Sequence, residues 1–365
     1  MQHNSVAQAL AESDILILDG ALATELEARG CNLADALWSA KVLMENPELI
    51  YQVHRDYFAA GARVAITASY QATPQGFAAR GLDEAQSLQL IARSVELARR
   101  ARDDYRAASG SRATLLVAGS VGPYGAFLAN GAEYRGDYAL PDEEMQAFHR
   151  PRVQALLAAG ADLLACETLP SFAEAQALAA LLTEFPGAQA WFSFTLRDAE
   201  HISDGTPLRE VAAFLQAQPQ IVALGINCVA LEQVTPALTA LQSLTSKPLV
   251  VYPNSGEQYD ATTKTWHSAP SGCTLHDRLA EWRAAGAPQG ARGGARPGAA
   301  GRPAQRRAAG GGRRWRTADR RLLPHHAAGY RGDCVAVSTA IKRRKQSMLR
   351  RLTAQGRFTL PFQTL

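Results

Sequence analysis

The sequence lacks the signals that place a protein in a membrane or in an oxidising compartment. No run approaches the roughly 20 consecutive apolar residues that span a bilayer, and the amino-terminal segment has no basic cluster followed by a long apolar stretch. The 5 cysteines are an odd number and widely scattered, which argues against a disulfide framework. We therefore expect a soluble, cytoplasmic protein with reduced thiols, and its 365 residues are enough to bury one large core.

Acidic residues are nearly missing from one end of the chain. Residues 288–365 hold 18 Lys and Arg but only two acids, Asp319 and Asp333, which leaves 20 basic and 32 acidic residues in 1–287. Within this basic tail, 26 of the 34 residues in 288–321 are Arg, Gly or Ala. Such a segment buries too little apolar surface to offset the entropy lost on ordering. We therefore predict one folded domain over 1–287 and a disordered tail over 288–365.

Seven short apolar runs alternate with Ala-, Leu- and Glu-rich stretches of helical length. Because the runs are apolar on both faces, they predict parallel strands covered by helices. The predicted strands are ILILDGA (15–21), RVAITASY (63–70), TLLVAGSVG (114–122), ADLLACETLP (161–170), AWFSFTL (190–196), IVALGINC (221–228) and PLVVYPNSG (248–256).

Small polar or glycine clusters end nearly every predicted strand. In an α/β barrel these ends meet at one mouth, where the loops after the strands build the active site. A doubly wound sheet is the alternative, but the first turn, DGALATELEARG, lacks the GxGxxG loop typical of such sheets. We therefore predict an α/β fold, a (β/α)8 TIM-type barrel. Its eighth strand is missing or garbled after a predicted helix at 272–287, which would expose the edges of the first and seventh strands.

Six motifs follow one another in a characteristic order: DGALATELEARGCNL, TASYQATPQGF, GSVGPYGA, ACETLP, GINC and YPNSGEQYD. In this order and spacing they resemble the homocysteine S-methyltransferase family over residues 1–287, most closely its bacterial S-methylmethionine-using branch. The resemblance implies a zinc-dependent barrel that moves a methyl group from a sulfonium donor to homocysteine, giving methionine. S-Adenosylmethionine and betaine remain open as donors. The resemblance also implies that Zn²⁺ is held by Cys228 of GINC and by two adjacent cysteines in a GGCC motif ending the eighth strand.

Cys228, which follows the sixth predicted strand, is the candidate catalytic and metal-binding residue. A thiol with a pKa of about 8.5 is mostly protonated at neutral pH, whereas attack on a sulfonium methyl group needs a thiolate. Zinc coordinated by thiolates can bind the substrate sulfur and lower its pKa. The alternative is a core cysteine, because free cysteine is among the most buried residue types.

Two carboxylates end the first and fourth predicted strands. Asp19, with Gly20 beside it, and Glu167 are candidates for binding the amino group of an amino-acid substrate. Asp19 could instead cap a helix, and Glu167 could form a structural ion pair. The pair also leaves open a lyase or hydrolase that uses both as acid and base, and dependence on Cys228 separates that alternative from a methyltransferase. Strand alternation directs Cys166 away from the barrel interior if Glu167 points inward.

Polar and aromatic residues after the strands are candidates for the rest of the substrate site. For the substrate carboxylate the candidates, which any tight turn could also use, are Thr67, Ser69, Ser120 and Gly122. For the donor side they are Asn254 and residues 255–257, with Tyr259 and Trp266 facing the sulfonium cation or forming a packing lid.

The GGCC motif is absent, since the sequence after Ala287 continues PQGARGGARPGAAGRP. One cysteine cannot complete a four-coordinate zinc site, and Cys334 is isolated in the basic tail. The stretch RRWRTADRRLLPHHAAGYR (313–331) has a permissible set of codons that, read one base later, gives AAGAPLIGGCCRTTPRAIA, a continuation of AAGAP at 284–288. We hypothesise that the tail is translated out of frame, although residues 289–312 have no such account. For the chain as written we predict little or no zinc and little or no methyl transfer.

The basic tail raises a function from another class, the binding of RNA. Its Arg/Gly-rich part contains a single aromatic residue, Trp315, and the acidic body would repel phosphate. Nucleic acid is therefore the less favoured partner. The favoured partners are homocysteine and a sulfonium methyl donor, and no membrane partner is expected.

Overall fold

Seven parallel strands form the sheet that the sequence predicts. The structure, a computed structural model, describes residues 4–13, 15–33 and 35–254, and the backbone of 258–260, 265–267 and 337–339. The parallel strands are β1 (Ile15–Ile17), β2 (Val64–Ile66), β3 (Leu116–Val121), β4 (Leu163–Leu169), β5 (Ala190–Phe194), β6 (Ile221–Asn227) and β7 (Leu249–Tyr252). Each lies within one of the seven apolar runs, and every residue of β3 to β7 is buried because both faces of the sheet are covered.

Helices connect the strands, and several begin and end at sequence signals. The described helices are α1 (Ser5–Glu12), α2 (Leu22–Ala28), α3 (Ser39–Glu45), α4 (Pro47–Ala60), α5 (Pro74–Ala78), α6 (Glu84–Ser109), α7 (Tyr124–Phe127), α8 (Asp142–Ala158), α9 (Phe172–Leu182), α10 (Leu208–Gln216) and α11 (Leu231–Leu244), with a 3-10 helix at Ala132–Tyr134. Asp83 and Gln86 form a capping box at the start of α6. Gly61, with φ of 109°, ends α4 in a left-handed conformation that favours glycine.

Two further strands, β8 (Gln258–Asp260) and β9 (Thr265–His267), pair antiparallel beyond β7, with Tyr259 opposite Trp266. The roles predicted for the side chains of this pair lie outside the described residues. The same holds for residues 255–257 and the helix at 272–287. It also holds for the predicted disorder of the tail, apart from the three residues of one strand given next.

The sheet curls until its two ends are joined by hydrogen bonds. Strands β2 to β7 pair in order, and Leu18, just after β1, pairs in parallel with Val64 of β2. On the other side, β10 (Val337–Thr339) lies between β1 and β7 and is antiparallel to both. The described strands thus form a TIM-type barrel that lacks its eighth parallel strand, as predicted. The predicted exposure of the β1 and β7 edges is wrong where β10 pairs with Ile15–Ile17 and with Leu249.

Strand alternation divides the core into a barrel interior and an outer layer under the helices. In β4, Leu163 and Ala165 belong to the interior cluster, whereas Leu164 and Cys166 belong to the outer one. Glu167 continues the interior positions of the strand, and Cys166 faces the helices, as the alternation predicts.

Helix α1 closes the amino ends of the strands. It contributes Val6, Ala9 and Leu10 to the interior cluster, and the Ser5 hydroxyl donates to Gln189 Oε1, just before β5, at 3.2 Å. The carboxyl ends of the strands form the opposite mouth, where the candidate site lies. Among the described residues, none of the helices combines the length and the apolarity needed to span a bilayer.

Candidate active site

Asp19 is buried two residues beyond β1. Its backbone N–H donates to the Val64 carbonyl, and its Oδ2 accepts from the Ile66 N–H, each at 2.8 Å. Ala21 is the N-cap of α2, so Asp19 does not cap that helix. Burial raises the pKa of Asp19, and the neighbouring His54 opposes this shift. Asp19 Oδ1 is buried and has no hydrogen-bond partner among the described residues, which leaves an acceptor for a ligand.

His54 of α4 lies against Asp19, and the sequence analysis did not find it. Its Nδ1 is 3.8 Å from Asp19 Oδ2, and its side chain is fully buried. Neither ring nitrogen has a hydrogen-bond partner within the part of the chain that the structure describes. The four-residue spacing of Ile50, His54 and Phe58, all buried, is the signal that could have placed this imidazole on the inner face of the helix.

Glu167, on the interior face of β4, is held by hydroxyl groups. Ser120 Oγ donates to Oε1, and the Tyr252 hydroxyl donates to Oε2 at 2.8 Å. Both carboxylate oxygens therefore accept from neutral groups rather than from a structural cation. Burial raises the pKa of Glu167 to about 7; the two hydroxyls lower it, and the charge of Asp19 raises it further. The two carboxyls thus share one weakly polar region that suits a cationic ligand.

Tyr252, the last residue of β7, connects Glu167 to β5, and the sequence placed it among the polar residues that end this strand without indicating a role for it. Its hydroxyl accepts from Trp191 Nε1 at 3.1 Å and lies 2.7 Å from Ser193 Oγ. Because the single hydroxyl proton of Tyr252 goes to Glu167, Ser193 is the donor in the second contact. Trp191 and Ser193 alternate along AWFSFTL, so they share a face, but the sequence alone does not show which face is the interior.

The three predicted hydroxyl ligands form a chain at the ends of β2 and β3. Ser69 Oγ donates to the Ser120 carbonyl at 2.8 Å, so Thr67 Oγ1 is the donor in its 2.7 Å contact with Ser69. The Ser120 N–H donates to Thr67 Oγ1 at 2.9 Å, and the Ser120 hydroxyl is used by Glu167. All three hydroxyl protons are therefore engaged within the protein. Binding of a substrate carboxylate by these residues stays a prediction, and it would require backbone N–H groups or the loss of one of these bonds.

Two glycines allow close packing beside the site. A Cβ at Gly20 would lie 2.7 Å from the Tyr57 hydroxyl oxygen, and one at Gly122 would lie 2.4 Å from the Tyr70 carbonyl oxygen. Both distances are shorter than van der Waals contact. Glycine at these positions lets Tyr57 pack beside Asp19 and lets the end of β3 approach the end of β2.

Cys228 directly follows β6 in an unusual backbone conformation. Its φ is 51°, and that of Thr168 on β4 is 60°, both in the left-handed region that non-glycine residues rarely adopt. Asn227 holds the pair: its Oδ1 accepts from the Thr168 N–H at 2.8 Å, and its Nδ2 donates to Thr168 Oγ1 at 2.7 Å. Asn227 Nδ2 also lies 3.4 Å from Cys228 Sγ, and Thr168 Oγ1 lies 3.8 Å from it. The partly buried thiol is thereby fixed at the same mouth as Glu167.

The described residues do not fit a complete zinc site. Within them, no three His, Cys, Asp or Glu side chains are grouped so that they could hold a metal ion. The polar neighbours of Cys228 Sγ are the amide of Asn227 and the hydroxyl of Thr168, which are poor zinc ligands. Burial, followed by the charge of Glu167, raises the pKa of Cys228 to about 12. Cys228 is thus a single thiol ligand where a tetrahedral zinc site needs at least three protein ligands.

Asn254 lies two residues beyond β7, next to the Cys228 end of β6. Its backbone N–H donates to the Val229 carbonyl at 3.0 Å, and its side chain is half-buried. This contact brings the loop after β7 to the part of the mouth that contains Cys228, the sulfur side. Its role toward a methyl donor stays a prediction.

A buried charged network supports the mouth from the outer layer. Arg152 of α8 donates to the carbonyls of Tyr70 at 2.9 Å and Gly122 at 2.6 Å, and one of its nitrogens lies 2.8 Å from His149 Nδ1. His149 Nε2 lies 2.7 Å from Glu174 Oε1. Burial lowers the pKa of Arg152 to about 10, so the guanidinium stays charged near neutral pH. The network fixes the ends of β2 and β3 behind the substrate side of the site.

These features define an α/β barrel with a cluster of polar side chains at the carboxyl ends of its strands, where barrel enzymes carry their active sites. The family model described as homocysteine S-methyltransferase matches residues 16–293. A homocysteine S-methyltransferase of Escherichia coli is 69% identical over 287 residues, which cover 78% of this chain and 93% of the relative. The Bacillus subtilis homocysteine S-methyltransferase YbgG is 53% identical over 287 residues, covering 78% and 91%.

A solved structure agrees with these relatives. The crystal structure of the Escherichia coli homocysteine methyltransferase MmuM in its metallated form is similar, with a TM-score of 0.71 and 65% identity over 78% of this chain and 93% of that one. The chain belongs to the homocysteine S-methyltransferase family. The predicted family, enzyme class and barrel fold are thereby confirmed.

Proposed function

We propose that the mouth of the barrel binds homocysteine and a sulfonium methyl donor, and that it serves methyl transfer to the homocysteine sulfur to give methionine. The observation that carries this proposal is the placement of Asp19, Glu167 and Cys228 at the ends of three strands of one mouth. The names of the relatives in Escherichia coli and Bacillus subtilis support the acceptor. We propose S-methylmethionine as the donor, with S-adenosylmethionine as the alternative.

The amino group of homocysteine would bind at the carboxyl pair. Asp19 Oδ1 is a buried acceptor without a donor among the described residues, and an ammonium group offers three donors and a positive charge. Its arrival would favour the ionised form of Glu167, whose raised pKa reflects burial in the absence of a cation. Recognition of the ammonium thus offsets the desolvation of both carboxylates.

In the transfer step, an electron pair of the homocysteine thiolate forms the new sulfur–carbon bond. The bond between the methyl carbon and the donor sulfur breaks, and its electron pair stays on that sulfur, which becomes a neutral thioether. Because a negative and a positive charge cancel in this step, a site with little water favours it. The side chains of Trp191 and Tyr252, both buried in the barrel interior, contribute to such a site.

Zinc, which the family resemblance implies, would supply a positive centre that binds the substrate sulfur as thiolate. At the mouth the described residues offer Cys228 as its one thiolate, so they do not complete the site. We propose that this chain binds its substrates but holds little zinc and transfers little or no methyl, and that a chain carrying the GGCC sequence regains both. We also propose a cytoplasmic location, which the free thiols of Cys31, Cys166 and Cys228 support.

The experiment compares two purified chains in the presence of zinc. One is the chain as written, and in the other residues 288–365 are replaced so that AAGA at 284–287 continues PLIGGCCRTTPRAIA. Methionine formed from homocysteine and S-methylmethionine is measured, and we expect the second chain to be roughly 100-fold faster or more, because loss of metal ligands costs at least that much.

Cys228→Ser in the restored chain is the control, and it should remove the regained activity. Equal rates for the two chains would contradict the proposal. Activity that persists without Cys228 would instead favour acid–base chemistry by Asp19 and Glu167.

A further inference from the structure

Glu133 lies at the mouth on a short 3-10 helix that the sequence analysis did not single out. The helix, Ala132–Tyr134, follows Gly131 and is fixed to the end of β5 by Thr195 Oγ1, which donates to the Glu133 carbonyl at 3.1 Å. A Cβ at Gly125 would lie 2.6 Å from the Glu133 nitrogen, so the helix also packs closely on the turn after β3. The backbone of Glu133 is therefore held firmly over the barrel mouth.

Glu133 is partly buried, and the described residues place no cation in contact with its buried carboxylate oxygen Oε2. Its Oε2 has no hydrogen-bond partner among the described residues. The nearby cation, Arg135, donates instead to Asp137 Oδ2 at 2.8 Å and to the Asn130 carbonyl at 3.0 Å. Burial raises the pKa of Glu133 above its ordinary value, and Arg135 opposes the shift only in part. A buried carboxylate in this state gains most from a ligand that brings a positive charge.

Glu133 lies on the same side of the mouth as Cys228, the sulfur side. Thr195, which holds the Glu133 carbonyl, also donates its backbone N–H to the Leu169 carbonyl at 3.2 Å, next to Thr168, whose Oγ1 lies 3.8 Å from Cys228 Sγ. Burial and then the charge of Glu133 raise the pKa of Tyr70. The Tyr70 ring lies edge-on to Trp38, with ring centroids 6.1 Å apart. Glu133 thus lies near a thiol and aromatic rings, both of which suit a soft, methylated cation.

We propose that Glu133 binds the sulfonium group of the methyl donor on the Cys228 side of the mouth. The inference rests on the function proposed above and assigns a residue to its donor. Asp19 and Glu167 bind the ammonium group of the acceptor, and Glu133 supplies the negative charge for the donor sulfur. The two substrates are thereby distinguished by which carboxylate faces their cationic group.

The charge of the donor exists only before the transfer. The donor sulfur becomes a neutral thioether when it loses the methyl group, so the attraction to Glu133 disappears with the reaction. Glu133 therefore favours binding of the donor over the methionine that leaves, and it contributes to affinity rather than to the rate of the chemical step.

The test is a pair of titrations on the full chain by isothermal calorimetry. S-Methylmethionine carries the sulfonium charge, and methionine lacks that charge but keeps the ammonium and carboxylate groups. We expect Glu133→Gln to weaken binding of S-methylmethionine about tenfold and to leave binding of methionine unchanged. Glu96→Gln, an exposed substitution on α6, is the matched control and should change neither.

Homocysteine titrations separate this inference from the function on which it rests. If homocysteine binds and Asp19→Asn weakens it, while Glu133→Gln leaves the preference for S-methylmethionine over methionine unchanged, the role of Glu133 is wrong and the acceptor site stands. Equal weakening of S-methylmethionine and methionine by Glu133→Gln would also overturn the inference, because it would indicate an ammonium site or a structural role. If homocysteine does not bind, the proposed function fails, whatever Glu133 does.

Discussion

The barrel mouth has a carboxyl side, with Asp19 and Glu167, and a sulfur side, with Cys228 and Glu133. The described residues supply more of the contacts on the carboxyl side than on the sulfur side. On the carboxyl side, Asp19 and Glu167 are held by backbone and hydroxyl donors from neighbouring strands, so their positions are fixed before any ligand arrives. On the sulfur side, the described residues give the Cys228 thiol only the weak donors of Asn227 and Thr168, and they leave a buried oxygen of Glu133 without a partner. The proposed amino-acid site is thus built by residues up to β7, whereas the proposed zinc site needs ligands that the described residues do not supply.

This difference places the proposed loss of methyl transfer in one part of the chain. The carboxyl side is assembled from β1 to β5 and β7, all of which match the family sequence. The eighth position of the barrel, from which the family resemblance expects two cysteines, is taken by the antiparallel strand β10. We therefore expect a fault confined to the eighth strand to remove the proposed metal site and to leave the proposed substrate contacts in place.

The largest effect is expected from removing the support behind the carboxyl side. Arg152→Met leaves Glu174 and the carbonyls of Tyr70 and Gly122 buried without their charged partner. We expect the free energy of unfolding to fall by about 3–5 kcal/mol, as measured by urea denaturation. Arg150→Met on the same helix removes only an exposed ion pair with Glu184 and should cost about 0–1 kcal/mol. Equal losses for the two variants would show that the buried network does not support the mouth.

A smaller effect is expected from changing the carboxyl side itself. Glu167→Gln keeps the shape of the side chain but removes the charge that receives the substrate ammonium. We expect homocysteine to bind about 10- to 100-fold more weakly, the range for a lost hydrogen bond to a charged group. Calorimetric titration of the chain as written measures this, with Glu96→Gln as the exposed control. An unchanged dissociation constant would remove Glu167 from the acceptor site.

The sequence predicts the strands of the barrel and the polar residues at their ends. The apolar runs placed all seven parallel strands, since a strand buried on both faces must be apolar throughout. A polar residue at the end of an apolar strand stands out in the sequence. Asp19, Glu167 and Cys228 could therefore be predicted as site residues. Alternation along β4 then placed Cys166 and Glu167 on opposite faces of the sheet.

Other parts of the site could not be selected because their signals resemble ordinary core patterns. His54 occupies an apolar position of an amphipathic helix, and Tyr252 ends a strand where an aromatic residue is common. Glu133 lies in a loop, where an acidic residue looks like any solvated charge. These residues enter the site through contacts between positions far apart in the chain, such as the hydrogen bond between Tyr252 and Glu167. Local periodicity carries no information about such contacts.

The smallest expected effect is the dependence of homocysteine affinity on pH. The carboxylate form of Glu167 is the one proposed to receive the ammonium, and burial raises the pKa of Glu167 from 4.5 to about 7. Homocysteine affinity should therefore rise with pH and level off above about 7, changing by at most about tenfold per pH unit below it. Glu167→Gln should flatten this dependence in calorimetric titrations between pH 5.5 and 8, roughly. A profile that keeps its slope in this variant would assign the titration to another group, such as Asp19, whose pKa burial also raises.

Glu167 also makes the stability of the folded protein depend on pH, and in the opposite direction to homocysteine affinity. Because the folded pKa of Glu167 lies above the ordinary value, the folded protein holds this proton more tightly than the unfolded chain. Its contribution to stability is fully present below pH 4.5 and is lost as the pH rises through about 7. The acceptor site thus gains affinity over the same range in which this residue gives up stability.

The metal content of the purified chain tests the central claim most directly. The chain as written and the chain restored to GGCC are loaded with zinc, freed of excess metal by gel filtration, and analysed by inductively coupled plasma mass spectrometry. We expect about one zinc per restored chain and far less than one per chain as written, since Cys228 is the single thiol that the described residues place at the mouth, in no group of three or more metal-binding side chains. About one zinc per chain in the protein as written would contradict the account, because it would mean that the sulfur side is complete.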